Sequence, residues 1–143
     1  HASALPKGKG WSPLTWQILE GTSEIPITLF EAEESVDSGD IYLQDILSFS
    51  GDELIGELRE KLAGCILQLT KHFVKTFPEI LKTAKSQTGT ESFYQKRCPQ
   101  DSRLDPHLTI AEQFNLLRIV DNKSYPAFFE LQGQCYVLQI NKV

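Results

Sequence analysis

The stretch SGDELIGELREKLAGCILQLTKHFVKTFP, residues 50–78, predicts the longest secondary-structure element of the chain. Its large apolar residues recur every three or four positions, which is typical of a helix that packs one face on a core. Ser50 and Glu53 have the spacing of a capping box and predict the start of the helix, which should run to about Phe77. Pro78 should end or kink it, because proline has no amide hydrogen to donate. The predicted apolar face consists of Leu54, Leu58, Leu62, Ile66, Leu69 and Phe73.

Two β-prone runs precede this helix, at residues 24–32 and 41–49. A polar connection, residues 33–40, joins them and contains a glycine and several carboxylates. If the two runs pair as strands, those carboxylates lie at a loop tip.

The N-terminal part of the sequence predicts a loop followed by a short helix. Residues 1–10 contain two glycines, one proline and two lysines, a composition that favours a loop. Ser12 followed by Pro13 predicts a helix start with a hydroxyl cap, and Gly21 is placed to end that helix.

The segment after the long helix predicts smaller elements. Thr109 is placed to cap a helix with Ile110, Phe114, Leu117 and Ile119 on its apolar face. Apolar runs at 127–131 and 135–140 flank a Gln-Gly-Gln turn and predict a β-hairpin. A short helical turn at 79–85 and a polar linker at 86–92 connect these elements to the long helix. The order of helices and strands predicts an α/β or α+β architecture.

Composition narrows the class of protein. The chain has 143 residues, a formal charge of −5 and 41% apolar residues, which is enough to bury a core and argues against a broad nucleic-acid footprint. No apolar run is long enough for a membrane span, and we expect a cytoplasmic protein without a membrane partner. Three widely spaced cysteines without a CxxC pair predict neither a disulfide framework nor a metal site. Because the sequence contains no Met, we expect residue 1 to be a cut or processed end.

Two blocks of the sequence resemble one enzyme family. HASALPKGKGWSP, residues 1–13, resembles the H-x-S-x-L-P-x-x-x-G-x-x-P signature of the folate-dependent formyltransferases. SVDSGDIY, residues 35–42, resembles the D-[TSA]-G-[DEA]-I loop of the same family, and the family's spacing of 36 residues separates His1 from Asp37. The implied fold is the C-terminal part of a Rossmann-like formyltransferase domain, residues 1–88, followed by a small helix and hairpin unit, residues 89–143.

A third block favours one branch of that family. RCPQDSRLD, residues 97–105, resembles the R-x-P-x-D-S-x-[IL]-D run of sugar-nucleotide N-formyltransferases. Their later Tyr-Pro-Gly-Ala-Phe sequence is matched at Tyr125-Pro126-Ala127-Phe128, except that the glycine is missing. Methionyl-tRNA formyltransferase is the alternative. It is less favoured because that enzyme normally carries a larger basic C-terminal domain for the tRNA, whereas this chain is acidic and has only one hairpin after the third block. A non-catalytic binding module on the same scaffold is a second alternative.

The resemblance also implies roles for individual residues. It makes His1 the catalytic imidazole and Asp37 the carboxylate that orients it, although an Asp before a glycine is also typical of a turn. The implied donor is 10-formyltetrahydrofolate, with Val36 and Asp37 as its contacts, and the implied acceptor is an amino-sugar nucleotide. The candidate substrate-binding residues are Lys7, Lys9 and Arg97, with Lys96 and Arg103 as further candidates for a diphosphate.

The resemblance also sets expectations for the whole protein. The family's catalytic Asn lies two positions before the His and would precede residue 1, as would most of the folate pocket. We therefore expect the isolated chain to be inactive. tRNA is the less favoured partner, and a homodimer is left open.

Overall fold

Three helices and six strands make up the fold in a computed structural model that describes residues 1–143. The helices are α1 (Pro13–Leu19), α2 (Ile55–Thr76) and α3 (Phe114–Ile119). The strands are β1 (Lys9–Gly10), β2 (Glu24–Phe30), β3 (Ile41–Ser48), β4 (Phe93–Tyr94), β5 (Ala127–Leu131) and β6 (Gln134–Leu138). Short 3₁₀ turns lie at Glu79–Thr83 and Pro99–Ser102. The predicted mixture of helices and strands, with a C-terminal helix and hairpin, is confirmed.

Helix α2 ends where the sequence predicts, but it begins later. The Glu53 carboxylate accepts the amide hydrogens of Ser50 and Gly51, as in a capping box, yet these residues lie outside the helix. The predicted start is wrong because Gly51, which would open the helix, has φ +99°, outside the helical region. The Glu53 carboxylate also binds Lys61 and Arg118. At the observed start of the helix, the Glu57 carboxylate accepts the Leu54 amide hydrogen at 2.9 Å and so caps the first turn.

The buried face of α2 differs from the predicted stripe at one position. Leu58, Cys65 and Leu69 are buried and belong to the main core cluster. Ile66 is 44% exposed, so its predicted place in the core is wrong. It lines an open pocket instead, because Cys65 occupies the core-facing position next to it.

Strands β2 and β3 pair antiparallel, and both lie close to their predicted bounds. Their register places Ile25 opposite Leu47 and Thr28 opposite Gln44, with an irregularity between Leu29 and Phe30. Ile25 and Ile27 of β2 are buried in the same cluster as the inner face of α2. The helix and the strand pair therefore share one core.

Helix α1 begins at Pro13 as predicted, but the predicted cap of its first residues is wrong. Ser12 has a left-handed backbone with φ +52°, and its side chain makes no capping hydrogen bond. Its carbonyl oxygen accepts the Thr15 amide hydrogen instead. Gly21 ends the helix as predicted, with φ +83° and the Thr22 amide donating to the Gln17 carbonyl.

The C-terminal segment has the predicted order of elements with a shorter helix. Thr109 and Glu112 bind each other's backbone and side chain as a capping box, but regular helix starts only at Phe114. Ile110 is 71% exposed, so its predicted place on the apolar face is wrong. The hairpin turn contains two residues, Gln132 and Gly133, which both have positive φ, as a type I′ turn requires.

The C-terminal segment packs on the rest of the chain through α3. Ile119 belongs to the main core cluster, while Leu117 and Val120 pack with Leu104 and Ala127 in a second cluster. Arg118 is 4% exposed and donates to Glu53 just before α2. None of the helices combines the length and apolar character needed to span a membrane.

Candidate functional site

His1 and Asp37 are brought together although 36 residues separate them. His1 Nδ1 lies 3.6 Å from Asp37 Oδ2, and the two side chains are 11% and 19% exposed. The distance is too long for a direct hydrogen bond but short enough for a charge interaction once the imidazole is protonated. The two residues that the sequence analysis singled out as catalytic therefore form one pair, called here the dyad.

The edge of strand β2 holds the backbone of His1. His1 and Thr28 exchange both backbone hydrogen bonds, at 2.9 and 2.8 Å. The Thr28 hydroxyl donates to the Ser3 carbonyl at 2.6 Å. The rings of His1 and Phe30 are nearly perpendicular, with their centroids 6.2 Å apart. His1 is therefore positioned by a buried strand.

The Gly8 carbonyl determines which imidazole nitrogen carries a hydrogen. His1 Nε2 lies 2.8 Å from this oxygen, and because a carbonyl only accepts hydrogen bonds, Nε2 must be protonated. In the neutral ring, the lone pair is then on Nδ1, the nitrogen that faces Asp37. Proton uptake at Nδ1 would create an imidazolium beside a carboxylate.

Backbone groups and an amide side chain hold Asp37. Its Oδ2 accepts the Gly10 amide hydrogen at 2.7 Å. Gln87 Nε2 donates to the carbonyl oxygens of Asp37 and Gly39, at 2.9 and 2.8 Å. Asp37 has φ +49°, a left-handed conformation that Asp tolerates better than most residues.

Gly39 is required for the loop that carries Asp37 to approach β2. A Cβ atom at this position would lie 2.0 Å from the Glu31 carbonyl oxygen, which is backbone and cannot move aside cheaply. The Glu31 amide in turn donates to the Asp40 carbonyl at 2.9 Å. The glycine of the D-x-G pattern therefore allows the close approach that closes this loop.

An open apolar pocket adjoins the dyad. It has a volume of about 250 Å³ and is lined by His1, Phe30, Leu29, Ile66, Leu69 and Thr70, among others. Because His1 forms part of its wall, a ligand in this pocket would contact His1. The pocket therefore offers an apolar surface next to the dyad.

The other predicted site residues differ in their surroundings. Val36 is 61% exposed next to Asp37 on the loop, and Lys7 is exposed. Lys9 is 3% exposed and its Nζ lies 2.6 Å from Glu91 Oε1, so its ammonium has a partner within the chain. A substrate contact through Lys9 stays a prediction. Arg103 likewise pairs with Glu130, at 3.2 Å.

Arg97 lies in a second concave region, called here the Trp11 cleft. This cleft has a volume of about 270 Å³, and its cationic and aromatic lining residues are Trp11, Arg59, Lys96, Arg97 and Tyr125. Lys96 Nζ lies 5.2 Å from the centre of the Trp11 ring. Arg97 donates to the Asp101 carbonyl, but its Nη1 atom is buried without a hydrogen-bond partner. Burial lowers the pKa of the Arg97 guanidinium.

Sequence reasoning missed the groups that hold the dyad. The Gly8 carbonyl, the Gly10 amide and the Gln87 side chain hold His1 and Asp37. Gly10 is the glycine of the first sequence block, but neither it nor the other two was assigned a contact with the dyad. Two glycines close to the His were a visible signal, because glycine favours positive φ angles. Gly8 and Gly10 have φ angles of +70° and +93°. Gln87 carried no signal, because it lies in a polar linker without a pattern.

No protein-family model matches the sequence. Solved structures do resemble the fold. Methionyl-tRNA formyltransferase from Clostridium thermocellum superposes with a TM-score of 0.73 and 22% identity, over 96% of this chain and 64% of that one. A sugar N-formyltransferase from Shewanella gives a TM-score of 0.75 and 15% identity, over 98% of this chain and 58% of that one.

This chain has the fold of the formyltransferases. HypX from Aquifex aeolicus, crystallised in complex with tetrahydrofolic acid, also shares it, with a TM-score of 0.72 and 18% identity over 98% of this chain and 24% of that one. The chain spans about three fifths of the length of the two formyltransferases above. The predicted fold, part of a formyltransferase domain followed by a small C-terminal unit, is therefore confirmed.

Proposed function

We propose that this chain is the C-terminal part of an enzyme that transfers a formyl group from 10-formyltetrahydrofolate to an amine. The observation that carries the proposal is the dyad. On a formyltransferase fold, an imidazole with its free nitrogen towards a carboxylate supplies general acid–base catalysis beside an apolar pocket.

The dyad provides the proton transfers that this reaction needs. The acceptor amine must lose a proton when its nitrogen bonds to the formyl carbon, and His1 Nδ1 is the base that takes it. Asp37 stabilises the resulting imidazolium through its charge at 3.6 Å. His1 would then return this proton to the donor nitrogen that departs, so that the imidazole would end in its starting form.

The surroundings of the dyad fit the donor in part. The folate carrier supplies the activated formyl carbon. Val36, exposed on the Asp37 loop, offers an apolar contact to a flat ring, and the pocket beside His1 offers a second. Because about 250 Å³ is below the typical size of a pocket that encloses a whole drug-sized ligand, other parts of the enzyme would complete the cradle.

For the acceptor, we favour an amino sugar linked to a nucleotide. The Trp11 cleft contains a buried guanidinium nitrogen without a partner and an ammonium beside an indole ring. A diphosphate would satisfy the cations, and a nucleobase could stack on Trp11, which is 60% exposed. Arg59 is a further cation that lines the cleft, and Lys7 is an exposed cation outside the cleft lining. This support is chemical complementarity.

The test uses the longer enzyme that contains this sequence. It is incubated with 10-formyltetrahydrofolate and either an amino-sugar nucleotide or Met-tRNA, and the acceptor is examined by mass spectrometry for one added formyl group. We expect formylation of the sugar. Formylation of Met-tRNA alone would select the alternative acceptor, and formylation of neither would favour a non-catalytic module.

Two variants test the assigned residues. His1→Ala should abolish transfer, whereas the matched control His72→Ala, on an exposed part of α2, should keep it. Arg97→Gln should raise KM for the nucleotide sugar and leave kcat close to the original value, because the residue contacts the acceptor away from the dyad. Full turnover in His1→Ala would overturn the mechanism.

A further inference from the structure

Segment 91–94, far from the dyad in sequence, binds the short loop Gly8–Gly10, which contacts both members of the dyad. The Lys9 amide donates to the Ser92 carbonyl at 2.9 Å, and the Gly8 amide donates to the Ser92 hydroxyl at 2.9 Å. Strand β1, within this loop, pairs in parallel with β4. The loop is therefore held on one side by segment 91–94 and binds His1 and Asp37 on the other.

Lys9 lies between the two residues that touch the dyad. The Gly8 carbonyl before it accepts from His1 Nε2, and the Gly10 amide after it donates to Asp37 Oδ2. A shift of the Lys9 backbone would therefore move both contacts at once. No other residue of the loop has a neighbour on each side that binds one member of the dyad.

The Lys9 side chain fastens this loop to the segment. Its ammonium is 2.6 Å from Glu91 Oε1 and 5.8 Å from the centre of the Phe93 ring, and the side chain is 3% exposed. A buried ammonium is costly without a partner, so loss of the Glu91 charge would favour a different position for Lys9. Glu91 is 55% exposed and can be changed without opening the core.

The two glycines of the loop also pack tightly against Tyr94 of β4. A Cβ atom on Gly10 would lie 2.6 Å from the Tyr94 carbonyl oxygen, and one on Gly8 would lie 2.9 Å from the Tyr94 ring. The loop therefore rests directly on β4. Because no free space separates the loop from segment 91–94, a displacement of this segment would also move Gly8 and Gly10, which bind the dyad.

We propose that Lys9 and Glu91 are positioning residues, which set the protonated nitrogen of His1 and the placement of Asp37 by fastening the Gly8–Gly10 loop. This inference rests on the proposed role of the dyad. It assigns Lys9 to the architecture of the site, in place of the substrate contact that the sequence suggested.

The test reads the imidazole directly, so its outcome does not depend on formyl transfer. Imidazole nitrogen NMR spectra of the longer enzyme are recorded for the unsubstituted protein and for Glu91→Gln, Lys9→Met and Lys9→Arg. Without substitution, neutral His1 should show a single tautomer with the hydrogen on Nε2. Glu91→Gln and Lys9→Met should show a mixture of tautomers, and Lys9→Arg should restore the single form.

Internal controls separate positioning from general destabilisation. His72 and His107, both exposed, should keep their signals in every variant. Glu130→Gln, which breaks an exposed ion pair elsewhere, should leave His1 unchanged. If Lys9→Met does not fold, Glu91→Gln alone decides the question, because its side chain is on the surface.

An unchanged single tautomer in Glu91→Gln would overturn the proposal, as would changes of equal size at all three histidines. In the longer enzyme, the same variants should lower kcat on the order of tenfold to a hundredfold, with recovery in Lys9→Arg. If the enzyme proves inactive on every acceptor while the tautomer shifts as expected, the positioning role stands and the proposed function fails.

Discussion

Two pairs of this chain each join a carboxylate to a basic side chain, Glu53 with Arg118 and Asp37 with His1. The pairs differ in the distance between their polar atoms and in their other hydrogen-bond partners. Arg118 Nη2 lies 2.9 Å from Glu53 Oε2, and both side chains are at most 5% exposed. The Glu53 carboxylate also binds Lys61 and two backbone amides. The dyad has a 3.6 Å gap and leaves Nδ1 of His1 without a direct hydrogen bond.

This difference separates a pair whose polar atoms are all bonded from one that keeps a nitrogen free, as the proposed mechanism requires. The oxygens of Glu53 are saturated with donors, so its proton affinity is low and its geometry is closed. The dyad is held from outside, by Gly8 and Gly10, and keeps a nitrogen free for proton exchange. We therefore expect changes at Glu53 to act on stability, and changes in the dyad to act on chemistry.

The largest expected effect is on the buried pair. Glu53→Ala leaves Arg118 buried without its carboxylate, and we expect the free energy of unfolding to fall by about 3–5 kcal/mol. Urea denaturation measures this loss. The control Glu60→Ala removes an exposed carboxylate of α2 and should change little. Equal effects of the two substitutions would contradict the assignment of Glu53 as a stabilising residue.

Acid should weaken the same pair. Burial on its own raises the pKa of Glu53, but hydrogen bonds from Lys61, Ser50 and Gly51 outweigh it and bring the pKa from 4.5 to about 2. Because the folded pKa is lower, the stabilisation is complete above pH 4.5 and is lost as the pH falls through about 2. The loss should total about 3 kcal/mol, measured by urea denaturation across this range. Glu53→Gln should flatten the curve.

The loop that holds the dyad should be sensitive at Gly10. Gly10→Ala places a Cβ against the Tyr94 carbonyl at φ +93°, and we expect a loss of about 1–3 kcal/mol in unfolding free energy. Gly64→Ala is the matched control, since this glycine lies within α2 with nothing near its Cβ position. It should stabilise the chain by about 0.5–1 kcal/mol. Thermal unfolding that shifts in the same direction for both variants would contradict the close contact.

The smallest effect on stability is expected within the dyad itself. Asp37→Asn keeps an oxygen that accepts the Gly10 amide hydrogen and tolerates the left-handed backbone, so the free energy of unfolding should change by less than about 0.5 kcal/mol. Urea denaturation tests this, beside an assay of the longer enzyme in which transfer should be lost. A large loss of stability would place Asp37 with Glu53 among the structural residues.

The elements of the fold were largely predictable because each has a local cause. The spacing of Leu58 and Leu69 predicts α2, Pro13 predicts the start of α1, and Gly21 predicts its end. Prediction failed where the backbone or a distant partner gave no local signal. The sequence placed the start of α2 directly after Ser50, but Gly51 has φ +99° and the helix begins only at Ile55. The contact of Glu53 with Arg118 of α3 was not visible from the sequence either.

The dyad was predictable only through the resemblance of two sequence blocks, since nothing local connects His1 to Asp37. Their distance and the identity of the protonated nitrogen depend on Gly8, Gly10 and segment 91–94. Backbone groups make these contacts. Because nearly every residue has the same backbone groups, no sequence pattern predicts them.

By itself, the sequence determined the order of helices and strands, the positions of the turns and the two residues of the dyad, because periodicity, proline, glycine and motif spacing act along the chain. Only the tertiary structure decided that Ile66 of α2 lines an open pocket, that Lys9 is bound to Glu91, and that Nδ1 of His1 faces Asp37. These outcomes depend on groups that meet across the fold, where a distance of one ångström separates a hydrogen bond from a gap.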